Sequence, residues 1–436
     1  MVTNATVHVL GSREEATVVY RLVNWRVLPF LAVCYLFAYL DRINIGFAKL
    51  QMQSDLALSD AAYGLGAGVF FLGYVLFEVP SNLLLVKVGA RRTLSRILLL
   101  WGITSAAMLL VTNVGTFYAL RFLLGVFEAG FAPGMIYYLS QWYPGARAAR
   151  AMAIVLCAAP VGGAIGAPVS TWIMAHLAGT GGLAGWQWMF LLEGIPSILL
   201  GVAAYFYLVD KPADASWLTE AQKAFIASQV GRSTTGRSES FAKALTDPNL
   251  YVLAAAYFCL ICGLYAVSFW LPTILKSAGL TDLFKIGLYS TVPYLVSIAA
   301  MYGLGQSSDR RGERRWHSAV TAMLGAGFLA VAAYSTSFPA ALFSITLATA
   351  AVFASYTVFW AIPQEHLKGT AAAGGIAFIN SIGLFGGFFS PTIIGWTKVA
   401  TGSLRAGLLV IATLLAIGAI LLAARRSEAA SELVAP

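Results

Sequence analysis

Charge is what this sequence has least of. Of its 436 residues only 11% are Asp, Glu, Lys or Arg, while 59% are hydrophobic. Mean hydropathy is +0.77, which no soluble surface tolerates, so the composition excludes water-soluble classes and leaves a polytopic membrane protein. Cysteine is scarce too. Cys34, Cys157, Cys259 and Cys262 all fall in apolar stretches, and the CxxC at 259–262 sets two thiols on a helix face without polar ligands beside them. That excludes zinc and redox chemistry. His176, His317 and His366 stand at span ends or in loops, which excludes a histidine proton relay. No nucleophile constellation or phosphate loop is present: Gly64, Gly66 and Gly68 lie inside an apolar stretch, without the strand-turn-helix context a nucleotide loop requires. The chain is therefore not an enzyme. Nothing through Tyr20 resembles a removable signal. The net charge of +9 sits in short clusters between apolar segments, so nucleic acid is not a partner.

Long apolar runs are what the sequence has in abundance. Windows of about 20 residues give twelve candidate spans within 25–45, 62–85, 94–113, 116–139, 151–177, 188–209, 250–275, 284–305, 317–336, 339–363, 371–397 and 403–423. The fold class expected is an all-α membrane protein with twelve transmembrane helices in two six-helix halves. Residues 1–24 form an N-terminal segment, 25–209 the first half, 210–249 a polar linker with Lys211, Lys223, Arg232, Arg237 and Lys243, 250–424 the second half and 425–436 a tail. With both ends inside, 21 of the 28 basic residues fall in cytoplasmic segments. Five fall in outer loops (Lys49, Lys276, Lys285, Lys398 and Arg405). That asymmetry predicts cytoplasmic termini. Lys87-Val88-Gly89-Ala90-Arg91-Arg92 after span 2 is echoed by Arg310-Arg311-Gly312-Glu313-Arg314-Arg315 after span 8. Glycine and proline recur in spans 5 and 11, as halves that rock against each other require.

Four charges remain inside the spans: Asp41 and Arg42 in span 1, Arg121 and Glu128 in span 4. A charge at the bilayer centre costs roughly 2.5–3.5 kcal/mol, so such residues persist where they pair or line a watered cavity. Arg121 and Glu128 are two turns apart on nearly one face, too far apart to pair, and both are expected to face a central cavity. Tyr35, Tyr39 and Arg42 share a helical stripe. Asp41 projects about 100° away, towards a different neighbour.

The strings Tyr39-Leu40-Asp41-Arg42-Ile43-Asn44-Ile45-Gly46, Gly73-Tyr74 with Glu78-Val79-Pro80-Ser81-Asn82, Arg121-Phe122-Leu123-Leu124-Gly125 with Glu128-Ala129-Gly130, Ser268-Phe269-Trp270-Leu271-Pro272 and Phe378-Ile379-Asn380-Ser381 resemble the anion:cation symporter family of the major facilitator superfamily. One departure is that Leu85-Val86-Lys87-Val88-Gly89 lacks the acid that usually precedes the glycine after span 2, while Asp309 keeps it in the second half. The resemblance implies a proton-coupled importer of a small organic anion, without a cofactor and driven by the proton gradient. It implies a monomer surrounded by lipid in a bacterial inner membrane. It makes Asp41 and Glu128 the protonatable pair, and Arg42 and Arg121 the anion-binding pair. It puts Tyr39, Tyr74, Thr357, Trp360 and Asn380 on the cavity wall. Glu78 reads as a latch between helices, Glu193 and Glu365 as structural. In span 5 Ala158-Ala159 stands where sugar-acid carriers have an amide, which favours a compact mono- or dicarboxylate, aromatic acids included. A proton-driven exporter and a non-transporting anion sensor are the rival readings.

Overall fold

A computed structural model describes residues 13–232, 245–366 and 369–425. Arg237, Lys243 and the tail beyond residue 425 lie outside them, as do the side chains of Glu365 and His366. Twelve helices are long and apolar enough to cross a membrane: Ala16–Asp55, Asp60–Val88, Ala90–Leu110, Val114–Trp142, Arg150–His176, Gly185–Tyr207, Pro248–Ser277, Leu283–Arg311, Arg315–Tyr334, Phe338–Gln364, Gly374–Thr401 and Leu404–Ala424. They are numbered spans 1–12 below. Among the described residues there is no strand, as a lipid environment demands of open backbone.

Several spans are interrupted where the chemistry of the site lies. Span 4 stops at Glu128 and restarts at Phe131. Gly130 makes the break, at φ 87, and Ser81 Oγ lies only 2.5 Å from where a Cβ would stand. A side chain there would be both strained and obstructed. Span 5 breaks at Cys157 and span 10 at Trp360. Span 1 runs ten residues past the expected boundary to Asp55, so Lys49 is a buried helix residue rather than a loop residue.

The two halves repeat one packing scheme. In the first half span 3 lies on span 6, span 2 on span 4, and span 1 on spans 5 and 6. In the second, span 9 lies on span 12, span 8 on span 10, and span 7 on spans 11 and 12. Between halves, span 2 packs on span 11 and span 5 on span 8, again a matched pair. The basic turns after spans 2 and 8 stand 223 residues apart, and two residues at that separation meet in space. Arg42 donates from Nη1 to the Tyr265 hydroxyl at 2.9 Å across a separation of 223. A Cβ at Gly46 would lie 2.9 Å from the Phe269 carbonyl oxygen. A residue touches its own counterpart only where a twofold axis passes, so spans 1 and 7 cross on the pseudo-twofold of the bundle.

The halves are clamped together at the end remote from the start of span 1. Gly64 abuts Pro391 and Gly395, Gly287 abuts Ala167 and Thr171, and the Tyr63 hydroxyl donates to the Phe269 carbonyl at 3.1 Å. Towards the other end, the second helix of span 4, Phe131–Trp142, packs chiefly on elements of its own half and on linker helix Glu220–Arg232. The molecule is thus closed at the remote end.

Candidate functional site

The centre of the molecule is built on Arg42. Its Nη2 forms an ion pair with Glu128 Oε1. Its Nη1 reaches Tyr265, and its guanidinium lies 5.5 Å from the Phe70 ring and 5.8 Å from the Tyr74 ring. One cation therefore gathers spans 1, 2, 4 and 7. The break after Glu128 places that carboxylate at the carbonyl end of a helix, where the local dipole disfavours negative charge and an arginine offsets it. Glu128 is 1% exposed and Arg42 14%, so Arg42 is the member of the pair within reach of a solute. Glu128 Oε2 and Arg42 Nε have no hydrogen-bond partner among the described residues. Spare capacity at both ends of a buried pair is what an exchangeable site needs.

Arg121 departs from expectation. Its side chain is fully buried, and it donates from Nε to the Gly66 carbonyl at 3.3 Å and from Nη2 to the Ala67 carbonyl at 3.2 Å. Its guanidinium lies 5.1 Å from the Phe70 ring, and of its nitrogens only Nη1 has no partner among the described residues. In this conformation span 2 holds the fork, because the glycines of that span let its backbone come close. Asp41 turns to a different neighbour, as its angle to Arg42 leads one to expect: Ser105 Oγ donates to its Oδ1 and Ser197 Oγ to its Oδ2, both at 2.9 Å, and among the described residues it meets no arginine. The 100° offset from Arg42 sends it into the interior of the first half.

Tyr39 bonds Ser268 across the half boundary at 3.1 Å, and Tyr74 lies beside Arg42. Trp360 packs edge-on against Tyr257, with centroids 4.7 Å apart. Thr357 is exposed and returns its hydroxyl to the Phe353 carbonyl of its own helix, so it does not join the Arg42 group. Asn380 donates to Glu78 Oε1 at 2.9 Å, a bond that ties span 11 to span 2. Tyr265 and Tyr257 are functional candidates that the sequence reading does not reach. Tyr265 stands three residues before Ser268, on the same helix face, and that spacing was the available signal.

The sequence matches the Major Facilitator Superfamily over residues 31–391. The chain belongs to that superfamily. It is 45% identical over 95% of its length, and 93% of the relative's, to a putative tartrate transporter of Agrobacterium vitis. It is 38% identical, over 92% of the chain and 94% of the relative, to a quinolone resistance transporter of Acinetobacter baumannii. Its fold is similar to that of a bacterial homologue of the human lysosomal transporter Spinster in its inward-facing, unoccupied conformation. The TM-score is 0.75 at 18% identity, over 94% of this chain and 97% of that one. A major facilitator protein is a transporter and not an enzyme.

In this facilitator a second charged group sits at the closed end. Lys49 Nζ is 2.7 Å from Asp60 Oδ1, and Lys398 Nζ is 2.9 Å from Asp60 Oδ2. Lys49 also lies 3.6 Å from the centroid of the Trp270 ring and 4.6 Å from that of Tyr63. Asp60 and Lys49 belong to the first half, Lys398 and Trp270 to the second. The group is an electrostatic clasp that joins the two halves at the remote end.

Proposed function

We propose that the chain is a proton-coupled symporter. It imports a small organic anion, a mono- or dicarboxylate with aromatic acids included, by alternating access across a bacterial inner membrane with both termini in the cytoplasm. On that reading the closed end is the outer one, and the conformation is inward-facing. The observation that carries the proposal is the Arg42–Glu128 ion pair held on the pseudo-twofold with Tyr265. A substrate carboxylate and Glu128 compete for one guanidinium. When Glu128 takes a proton it releases Arg42 to the substrate, and when substrate holds Arg42 the Glu128 carboxyl keeps its proton, so the two ligands support each other's binding. Asp41 is the second proton-carrying group, and Arg121 a reserve donor that the substrate reaches once span 2 moves. Tyr39, Tyr74 and Trp360 shape the wall, while Thr357 and Asn380 act from its margin. The protein functions as a monomer and needs no cofactor beyond the proton gradient.

The relative's name makes tartrate the first probe, followed by phthalate and hydroxyphenylacetate. Reconstituted protein should accumulate at least one of these acids when an inward proton gradient is imposed, and merely equilibrate it when the gradient is collapsed. Accumulation that ignores the gradient sinks the coupling. The quinolone-related relative favours a second reading, proton-driven export. Quinolone loss from cells expressing the chain, with no carboxylate uptake, would select it.

A further inference from the structure

Two buried carboxyls share a seam inside the first half, away from the Arg42 pair. Span 1 contributes Asp41 and, one turn nearer the closed end, Asn44. Span 6 contributes Ser197 and, one turn nearer the same end, Glu193. They pair in register: Ser197 with Asp41 Oδ2 at 2.9 Å, and Asn44 Nδ2 with Glu193 Oε2 at 3.0 Å. Ser105 of span 3 closes one end on Asp41 Oδ1, and Ser170 of span 5 closes the other by donating to Glu193 Oε1 at 2.6 Å. Asp41 is 1% exposed and Glu193 3%.

Among the described residues no cation bonds either acid. On span 1 the nearest basic residues are Arg42, committed to Glu128 and Tyr265, and Lys49, committed to Asp60. The arginines of span 3, Arg91, Arg92 and Arg96, are at its other end, near the start of the helix. Span 5 carries only His176 near the seam's end, and that ring stacks on Trp172. Glu128, another buried acid of the first half, is held by Arg42. A buried carboxylate facing hydroxyls and one amide, without a cation, is strongly disfavoured, and two at once more so.

The second half shows that the fold does not need this polarity. At the 223-residue offset, Asp41, Asn44 and Ser105 correspond to Leu264, Val267 and Phe328. Span 12, the counterpart of span 6, has no acid, amide or serine between Leu404 and Ala424. The equivalent crossing of spans 7 and 12 is thus made without a buried carboxyl.

We propose that Glu193 is a further proton-carrying residue of the symporter, coupled to Asp41 through the seam, so that the two exchange protons as a pair. This rests on the proton-coupled reading above and extends it to a residue one turn closer to the closed end. E193Q keeps the size of the side chain and the bond from Asn44, reverses the Ser170 bond so that the amide donates, and removes the titrating proton. The test is an infrared pH titration of the purified full-length protein, which follows the carboxyl C=O bands and needs no substrate. Wild type should show a band lost on E193Q and another lost on D41N. Each substitution should move the titration midpoint of the surviving band by roughly one pH unit. If E193Q folds poorly, D41N alone reads the same coupling from the surviving Glu193 band. A Glu193 band absent at every pH, or midpoints that do not move, overturns the proposal. Tartrate uptake supplies the separate arm: if wild-type accumulation ignores the proton gradient, the symport reading fails whatever the titration shows. If wild type couples and the bands do not interact, only the role of Glu193 fails.

Discussion

The two halves of this bundle share a packing scheme and differ in chemistry. At the 223-residue offset Arg42 faces Tyr265, Asp41 corresponds to Leu264, Arg121 to Ser344 and Glu128 to Ala351. Where the first half spends charge, the second spends hydroxyls and hydrocarbon. Duplication supplies the rocking scaffold, which needs both halves to match in backbone. Coupling needs titratable groups that see one another, and these work best in one half, where their spacing survives the rocking. On the symport reading proposed above, the second half is then free to vary its wall, here Tyr257, Tyr265 and Trp360.

The largest expected effect comes from removing the charge on the axis. R42A leaves Glu128 buried without its partner, a change of about 3–5 kcal/mol. That should abolish uptake and lower the melting temperature of purified protein. The swap R42Y/Y265R sharpens the comparison, because it moves the guanidinium to the equivalent site in the other half. It should not restore uptake, since Ala351 stands where Glu128 has its counterpart. Restored transport would mean that the halves are chemically interchangeable. E128Q comes next. It replaces the ion pair by a neutral contact at every pH, so gradient-driven accumulation should fall to equilibration while exchange of labelled for unlabelled acid continues. Loss of both activities together would make Glu128 a structural partner only.

Most of this architecture could be read in the chain, because span length, the basic turns and the four intramembrane charges are one-dimensional signals. The pairing among those charges could not. Arg121 and Glu128 share a face of span 4, and that geometry alone sends both towards a cavity. The closeness of the span 2 backbone, which takes Arg121, and the break at Gly130, which turns Glu128 to Arg42, are properties of packing. Asp41 is the clearer case. Its angle to Arg42 was legible, but its partners Ser105 and Ser197 lie 64 and 156 residues away, and single serines in apolar helices carry no signal. Lys49 misleads for the opposite reason: a lysine near a span end looks like a loop residue until Asp60 and Trp270 close over it.

A smaller effect tests the boundary between halves. D60N removes both ion contacts of the clasp and leaves Lys49 buried without an acid. The remote end should therefore open more often, read as faster labelling of a cysteine placed at Ala61 than in the same background with Asp60 intact. Y265F removes one hydrogen bond to a charged group, about 1.5–3 kcal/mol. It should raise the apparent KM about tenfold or more, with E128Q-type uncoupling absent.

The smallest effect concerns the turns that the halves share. Gly89 at φ 96 and Gly312 at φ 61 end spans 2 and 8 in the same left-handed sense of φ, yet the acids that cap the next helix come from different places. In the first half Asp210 arrives from beyond span 6 to accept the Arg91 N–H at 2.7 Å. In the second, Glu313 is local and accepts from the Trp316 and His317 N–H groups at 2.6 and 3.1 Å, with the His317 ring 2.7 Å away. Partial burial opposes charge on Glu313, but these hydrogen bonds outweigh it and hold the carboxyl below the usual glutamate range. A group so lowered stabilises the fold above its ordinary value, and that contribution disappears as pH falls through the folded one. E313Q should therefore destabilise by about 1 kcal/mol or less, given the exposure of the site. The gap in melting temperature between E313Q and wild type should hold from pH 7 down to the ordinary glutamate value of 4.5 and close only below it. D210N should loosen the tie between spans 3 and 6 instead, so the two substitutions separate a local cap from a long-range one within the same duplicated turn.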